Sequence, residues 1–339
     1  MKLPEKRGGA MALMQRFTRL FAAAALGLVG LTIGAGSAPA SAAHAKPVVR
    51  TVSVGVLPIA DVAPLYLGIK KGFFAAQHLK IVTHQLQGGA AVASAVVGGS
   101  LEFGFGAMAN IILAKSQNLP VQFVANGDQA ASTAANAWSG ILVGANSGIT
   151  SIAQLAGKTI ASNALDGENQ LALDAVLQAN GVAPSSVKVV VLGFPDMPAA
   201  LASGSVDAVT EVEPFVSAIE AHGGTLLSPL FEGMQPSSTV AAYFANTNFI
   251  KAQPKLVERF VTAINKSLSY AQTHPAAVRA IILTYTQIPS SVVATLKLPI
   301  WGSAVSKKSI QYQENLMRHL GWISNSIPLS SLMWSGPRH

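Results

Sequence analysis

Four acidic residues, Asp61, Glu168, Glu211 and Glu213, stand where predicted strands give way to loops or helices, and no Lys or Arg shares those loops. A site for an oxyanion calls for cationic or hydroxyl donors, whereas carboxylates suit an amine or a neutral solute that donates hydrogen bonds. Glu211 or Glu213 is therefore the expected partner of a solute amine. Gly88-Gly89, ahead of a helix of small residues, leaves backbone N–H groups free for an oxygen ligand or simply makes a tight loop. Gly104-Phe-Gly-Ala-Met-Ala109 fits a relaxed dinucleotide fingerprint, but it lies mid-chain, and Asn126-Gly127 reads as a turn ahead of the only candidate ribose acid, Asp128. Gly106 to Met108 is read instead as cleft lining. Asp166 and Asp196 each precede a predicted helix and are expected as N-caps. Trp138, in the Gly-, Ser- and Asn-rich stretch Ser132 to Gly140, is the aromatic expected to stack on a flat solute, with Phe105, Phe194 and Phe215 expected mainly in the core. The candidate ligand-binding residues are Pro58, Ile59, Gly89, Ala90, Ala107, Met108, Trp138, Asn163, Ala164, Glu211 and Glu213.

Other chemistries have little to rest on. There is no cysteine, which removes thiol nucleophiles, disulfides, thiolate zinc sites and iron–sulfur clusters. The seven histidines are dispersed, and His78 and His84 have no carboxylate near in sequence, so no metal is expected. No Gly-x-Ser-x-Gly, His-Glu-x-x-His or phosphate-binding loop occurs. No cofactor and no catalytic residue is assigned, and the chain is read as non-enzymatic.

The elements that must position these residues alternate. Thr51 to Leu57, Lys80 to Leu86 and Leu101 to Phe105 read as strands, with helices over 64–76, 90–97 and 108–116 between and after them. The order recurs with strands at 158–162, 187–192 and 206–210 and helices at 168–180 and 197–202. Alternation of this kind implies a parallel-rich sheet in each of two α/β lobes, with ligands at the carboxyl ends of the strands. Those ends are the loops 57–61, 87–90, 106–110, 163–168, 193–196 and 211–214. The C-terminal third is mostly helical, with a stripe of Leu256, Val257, Phe260, Val261, Ile264 and Leu268 after Pro254. If it returns to the first lobe, the chain crosses between lobes twice and makes a hinge.

The 339 residues are 50% hydrophobic and 11% charged. Part of that apolar excess is N-terminal: Lys2, Lys6, Arg7, Arg16 and Arg19, then an uncharged run from Leu20 to Ile33, then small residues to Ala45. This is the order of a cleavable secretory signal peptide, and its apolar core is shorter than the ~18 residues of a spanning helix. Its removal, with Glu5, halves the formal net charge of +8. The remaining basic residues are scattered, so no nucleic-acid partner is expected. Without a cysteine there is no lipid anchor, and the mature protein is expected to be periplasmic or otherwise extracytoplasmic.

Four stretches then carry a resemblance. They are Gly99-Ser-Leu-Glu-Phe-Gly-Phe-Gly-Ala107, Gly148-Ile-Thr-Ser-Ile-Ala-Gln-Leu-Ala-Gly-Lys-Thr-Ile160, Ala200-Leu-Ala-Ser-Gly-Ser-Val-Asp-Ala208 with Glu213-Pro214, and Pro254-Lys-Leu-Val-Glu-Arg-Phe260. Together they resemble the nitrate/sulfonate/taurine-type (NMT1/SsuA-like) solute-binding proteins of ABC importers. The resemblance implies a two-lobed type II periplasmic-binding-protein fold that closes on a small organic solute. Its partners are then an ABC permease and its ATPase subunits, and the protein is expected as a monomer. The implied organisation is a leader over 1–45, the first part of lobe I over 46–140, lobe II over 141–242, and a return to lobe I with C-terminal helices over 243–339. A neutral, amine-bearing or heterocyclic solute is favoured over nitrate, taurine or a sulfonate. Pyrimidine-precursor synthases of thiamine biosynthesis share the architecture, but they are iron-dependent, cytosolic and carry a cysteine-rich segment that this chain lacks.

Overall fold

The computed structural model describes residues 48–302 and 304–336, so the leader read over 1–45 lies outside the described residues. The alternation after Arg50 becomes β1 (Arg50–Val56), which buries Val52, Val54 and Val56. The following helix is shorter than the predicted 64–76. It ends as α1 (Ala63–Lys70), because Gly72 takes a positive φ of 74° that stops the helix, and a separate turn leads into β2 (Leu79–Gln85). The first lobe continues with α2 (Gly89–Val97), β3 (Phe103–Ala107), α3 (Met108–Ser116) and β4 (Val121–Gln129). The second holds β5 (Ser139–Val143), β6 (Thr159–Ser162), α4 (Glu168–Ala179), β7 (Lys188–Val191), α5 (Met197–Ala202), β8 (Ala208–Val212), α6 (Phe215–Ala221) and β9 (Thr225–Pro229). After the short turn α7 (Phe231–Met234), β10 (Thr239–Asn246) rejoins the first sheet.

Each lobe has a five-stranded sheet, ordered β2-β1-β3-β10-β4 and β7-β6-β8-β5-β9. The sheets are mixed. β1, β2 and β3 run parallel, as do β6, β7 and β8, while β10 runs antiparallel to both its neighbours and β5 to both of its own. The direction follows from the path: β5 and β10 are the strands that arrive from the other lobe, so each enters its sheet at the end where the parallel strands finish. The return starts at Thr239, a few residues ahead of the expected 243, because the register with β4 begins at Thr239 against Gln129.

Asn126-Gly127 is not a turn. Both residues lie inside β4, where a Cβ on Gly127 would stand 2.6 Å from the Ala241 carbonyl oxygen and 2.7 Å from the Phe105 ring. Glycine here permits close approach of strands, not a reversal.

The two crossings run side by side. The Ala130 N–H donates to the Ser238 carbonyl at 2.8 Å and the Ser237 N–H to the Ala131 carbonyl at 3.1 Å. The amphipathic helix Pro254–Thr273 returns across the first lobe, buries Leu256, Val257, Phe260, Ile264 and Leu268, and stacks Phe260 on Phe103 at 3.9 Å. The chain beyond it reaches both lobes. Helix Ser290–Thr295 packs on α6, and Ile300 pairs with Gln129 in a bridge at the end of β4. No helix among the described residues is long and apolar enough to cross a membrane.

Candidate solute-binding cleft

The loops at the carboxyl ends of the parallel strands meet those of the opposite lobe. The Ala60 N–H donates to the Glu213 carbonyl at 2.9 Å, and the Ala109 N–H to Glu168 Oε2 at 2.8 Å. A Cβ on Gly88 would come within 3.3 Å of the Asn163 carbonyl oxygen, and one on Gly193 within 3.2 Å of Gln87 Oε1. The lobes are thus closed on each other.

Glu168 is the first residue of α4, yet its carboxyl lies over the first turn of α3 in the other lobe. The free N–H groups and partial positive charge at a helix start draw an acceptor. Burial pushes this carboxyl up to about 8, with the Ala109 N–H opposing. The expected aspartate caps are not made. The N-cap of α4 is Gly167, not Asp166, and Asp196 stands at the N-cap of α5 without a side-chain bond. Asp166 has a positive φ of 51°, which turns the chain ahead of Gly167.

The predicted residues separate into distinct environments. Ile59 is buried and its carbonyl accepts from the Tyr285 hydroxyl at 3.0 Å, with Pro58 half-buried beside it. Gly89 is buried at the start of α2, whereas Ala90 is exposed. Ala107 and Met108 form the N-cap and first turn of α3, and Met108 is fully buried. Asn163 and Ala164 line the opposing loop, and Asn163 Oδ1 is buried without a donor. Across the junction of the lobes, Gly88 beside Gly89 faces Asn163, the turn of Ala107 and Met108 leads to Ala109 against Glu168, and Ala60 after Ile59 meets Glu213.

Trp138 is placed elsewhere. It is fully buried at the hinge, donates its indole N–H to the Gln129 carbonyl at 3.0 Å, and packs on Phe231 with ring centres 5.2 Å apart. Glu213 is committed to its own surroundings: its carboxyl accepts from the Ser217 N–H at 3.0 Å, the Ser217 hydroxyl at 2.7 Å and the Lys297 N–H at 3.1 Å. Glu211 is less committed. It is fully buried on β8, and among the described residues its one donor is the Val212 N–H at 3.2 Å and Oε1 has none. Burial raises both carboxyls above the ordinary range.

A cluster unforeseen in the sequence lies in the first lobe. Asp61, just after β1, and Asp128, near the end of β4, are buried within hydrogen-bonding reach of one another. Asp128 Oδ1 accepts from the Ala241 N–H at 3.2 Å, and the Oδ2 atom of each receives no donor from the described chain. Desolvation raises Asp61 to about 7 and Asp128 well above its ordinary value; the hydrogen bond with Asp128 opposes the rise at Asp61, whereas the Asp61 charge and bond add to it at Asp128. Tyr243 of β10 is near enough to feel both charges, and Tyr66 stacks on Tyr285 with ring centres 4.1 Å apart. The signal available in sequence was Asp128 within an otherwise uncharged strand. It was masked by the Asn-Gly pair before it. Among the described residues, no group of three or more His, Asp or Glu side chains is placed to hold a metal ion.

Comparison with known proteins agrees with this geometry. The alkanesulfonate-binding protein SsuA from Xanthomonas axonopodis pv. citri, bound to MOPS, superposes with a TM-score of 0.73 at 20% identity, covering 86% of this chain and 99% of that one. The periplasmic nitrate-binding protein NrtA from Synechocystis PCC 6803 gives 0.68 at 14% identity, covering 82% and 83%. At these identities the likeness is one of fold. A 4-amino-5-hydroxymethyl-2-methylpyrimidine phosphate synthase from Aspergillus parasiticus is 26% identical over 234 residues, 63% of this chain, and the match spans 64% of the synthase. The family described as NMT1/THI5 like matches residues 59–278, from the loop after β1 through both sheets and into the helices of the return, and the chain belongs to that family.

Proposed function

We propose that this protein is the extracytoplasmic solute-binding component of an ABC importer, which captures a small organic solute between its lobes and hands it to a permease driven by ATPase subunits. The observation that carries the reading is the paired crossings at Ala130–Ser238 and Ser237–Ala131, which run side by side as a hinge for lobe closure requires. A solute touching both lobes stabilises the closed arrangement by its extra contacts there. A neutral or amine-bearing, heterocyclic solute is favoured over nitrate or a sulfonate. Its support is the set of buried carboxyls at the junction, Asp61, Asp128, Glu168 and Glu211, whose raised proton affinities arise with no cation among their causes. The mature protein acts as a freely diffusing monomer after loss of its leader.

Native mass spectrometry of protein purified without denaturation tests the reading, since a retained solute reports its own mass. Small-angle scattering before and after solute removal is expected to show an increase in radius of gyration. A chain that retains and binds no solute, and whose scattering never changes, is not a capture protein. The relationship to the Aspergillus synthase favours a second reading, an enzyme forming a pyrimidine phosphate on the same fold. Release of 4-amino-5-hydroxymethyl-2-methylpyrimidine phosphate by the purified chain would establish it, while the absence of any cysteine weighs against kinship with cysteine-dependent forms.

A further inference from the structure

Lobe closure does not account for the carboxyls of Asp61 and Asp128. Among the described residues no cationic side chain perturbs either, and the Oδ2 atom of each lacks a donor although both residues are almost wholly buried. Buried carboxyl oxygens are ordinarily bonded, so two adjacent carboxyls that each leave one oxygen without a donor are costly to the fold. An independent observation comes from the strand beside Asp128. Tyr243 is fully buried, its hydroxyl has no partner in the described chain, and it lies close enough to Asp128, Tyr66 and Asp61 to be perturbed by each. Buried tyrosine hydroxyls ordinarily find a partner. Three elements therefore bring unpartnered oxygens together: the turn after β1, β4 and β10. The neighbourhood belongs to the junction of the lobes, because Asp61 feels Glu213 and Asp128 feels Glu168, both from the second lobe.

The missing partner must be a donor and must tolerate negative charge. An ammonium group offers three N–H donors and a positive charge, which matches two carboxylates and a hydroxyl. An anion is repelled by the same set. The Tyr66–Tyr285 stack, whose Tyr285 also feels Asp61, supplies aromatic surface for an organic cation.

We infer that Asp61, Asp128 and Tyr243 form the subsite for the protonated amino group of an organic solute, flanked by the Tyr66–Tyr285 pair. The assignment rests on the solute-capture reading and moves the amine partner from Glu211 and Glu213 to the first lobe. Without solute, the two carboxyls hold a proton between them. When the ammonium enters, that proton leaves to solvent and the ammonium keeps its own, so one charge replaces another. The groups facing the dyad are Tyr66, Tyr243, Tyr285, Glu168 and Glu213. None of these is a cation, so among the described residues the amine meets no competing positive charge.

The test titrates the mature chain calorimetrically with benzylamine, benzyl alcohol and phenylmethanesulfonate. Benzylamine is expected to bind at least about tenfold more tightly than the other two, as a charge-assisted contact requires. Affinity should rise by up to about tenfold per pH unit between about pH 6 and pH 8, with proton release seen as a heat that changes with buffer ionisation enthalpy. Tyr243→Phe removes a hydroxyl that bonds nothing among the described residues, so it should leave the melting temperature unchanged yet weaken benzylamine several-fold. Asp128→Asn should abolish the proton release. Equal or tighter binding of the sulfonate, no benzylamine binding, or benzylamine affinity unaltered in both variants overturns the subsite. A retained anionic solute in the native mass spectrum also overturns it while leaving solute capture standing, whereas failure to bind or close on any solute removes capture itself.

Discussion

Glu168 carries the clearest consequence at the scale of single residues. Burial raises its carboxyl to about 8 and those of Asp61 and Asp174 to about 7, so the native chain holds protons that the unfolded chain sheds in the ordinary carboxylate range. Stability contributed by these groups is complete below that range and is lost as pH rises through about 7 to 8. Glu168→Gln keeps an acceptor for the Ala109 N–H and removes the titration, so thermal unfolding at pH 8 should shift upward toward its value at pH 5. An unchanged difference between the two pH values would count against this account. The acids at the strand ends were legible in the sequence, but their individual roles were not. Glu213 reads as a free carboxylate until Ser217 and the Lys297 backbone are seen to occupy it, and Lys297 lies far along the chain.

At the scale of elements, the hinge and β4 depend on close packing. Trp138 ties β5 to the end of β4 through Gln129 and fills the space against Phe231. Trp138→Ala should cost about 3–5 kcal/mol of unfolding free energy, read from chemical denaturation. Gly127→Ala forces a methyl against the Ala241 carbonyl and the Phe105 ring, and should cost about 1–3 kcal/mol with the same readout. Loss of less than half a kilocalorie in either variant would contradict the packing described. The parallel strands were legible from their alternation with helices. β10 was not, because Thr239–Asn246 is buried along nearly its whole length and lacks the polar half of a strand pattern.

The whole molecule turns on how firmly the lobes hold together. The Glu168 to Ala109 bond crosses the junction, and a hydrogen bond of this kind contributes about 1 kcal/mol net. Glu168→Ala should therefore shift the population about fivefold toward the open arrangement, read by small-angle scattering of the solute-free protein. Coincident scattering curves for variant and parent would show that the bond does not govern closure. Helix Ser290–Thr295 on α6 and the Lys297 to Glu213 bond give the C-terminal stretch a hold on the second lobe as well. Opening must accommodate these contacts as well as the paired crossings.

The sequence by itself determined the alternating elements, the twofold α/β plan and the strand-end loops, because periodicity, Gly and Pro punctuation and apolar patterning are local properties. It also determined that no thiol chemistry is available. Only the tertiary structure decided that Trp138 belongs to the hinge, that Glu168 serves a helix in the opposite lobe, and that Asp61 and Asp128 face one another. Those outcomes depend on contacts between segments far apart in the chain, where desolvation and the supply of donors are set by the folded surroundings and not by neighbours in sequence.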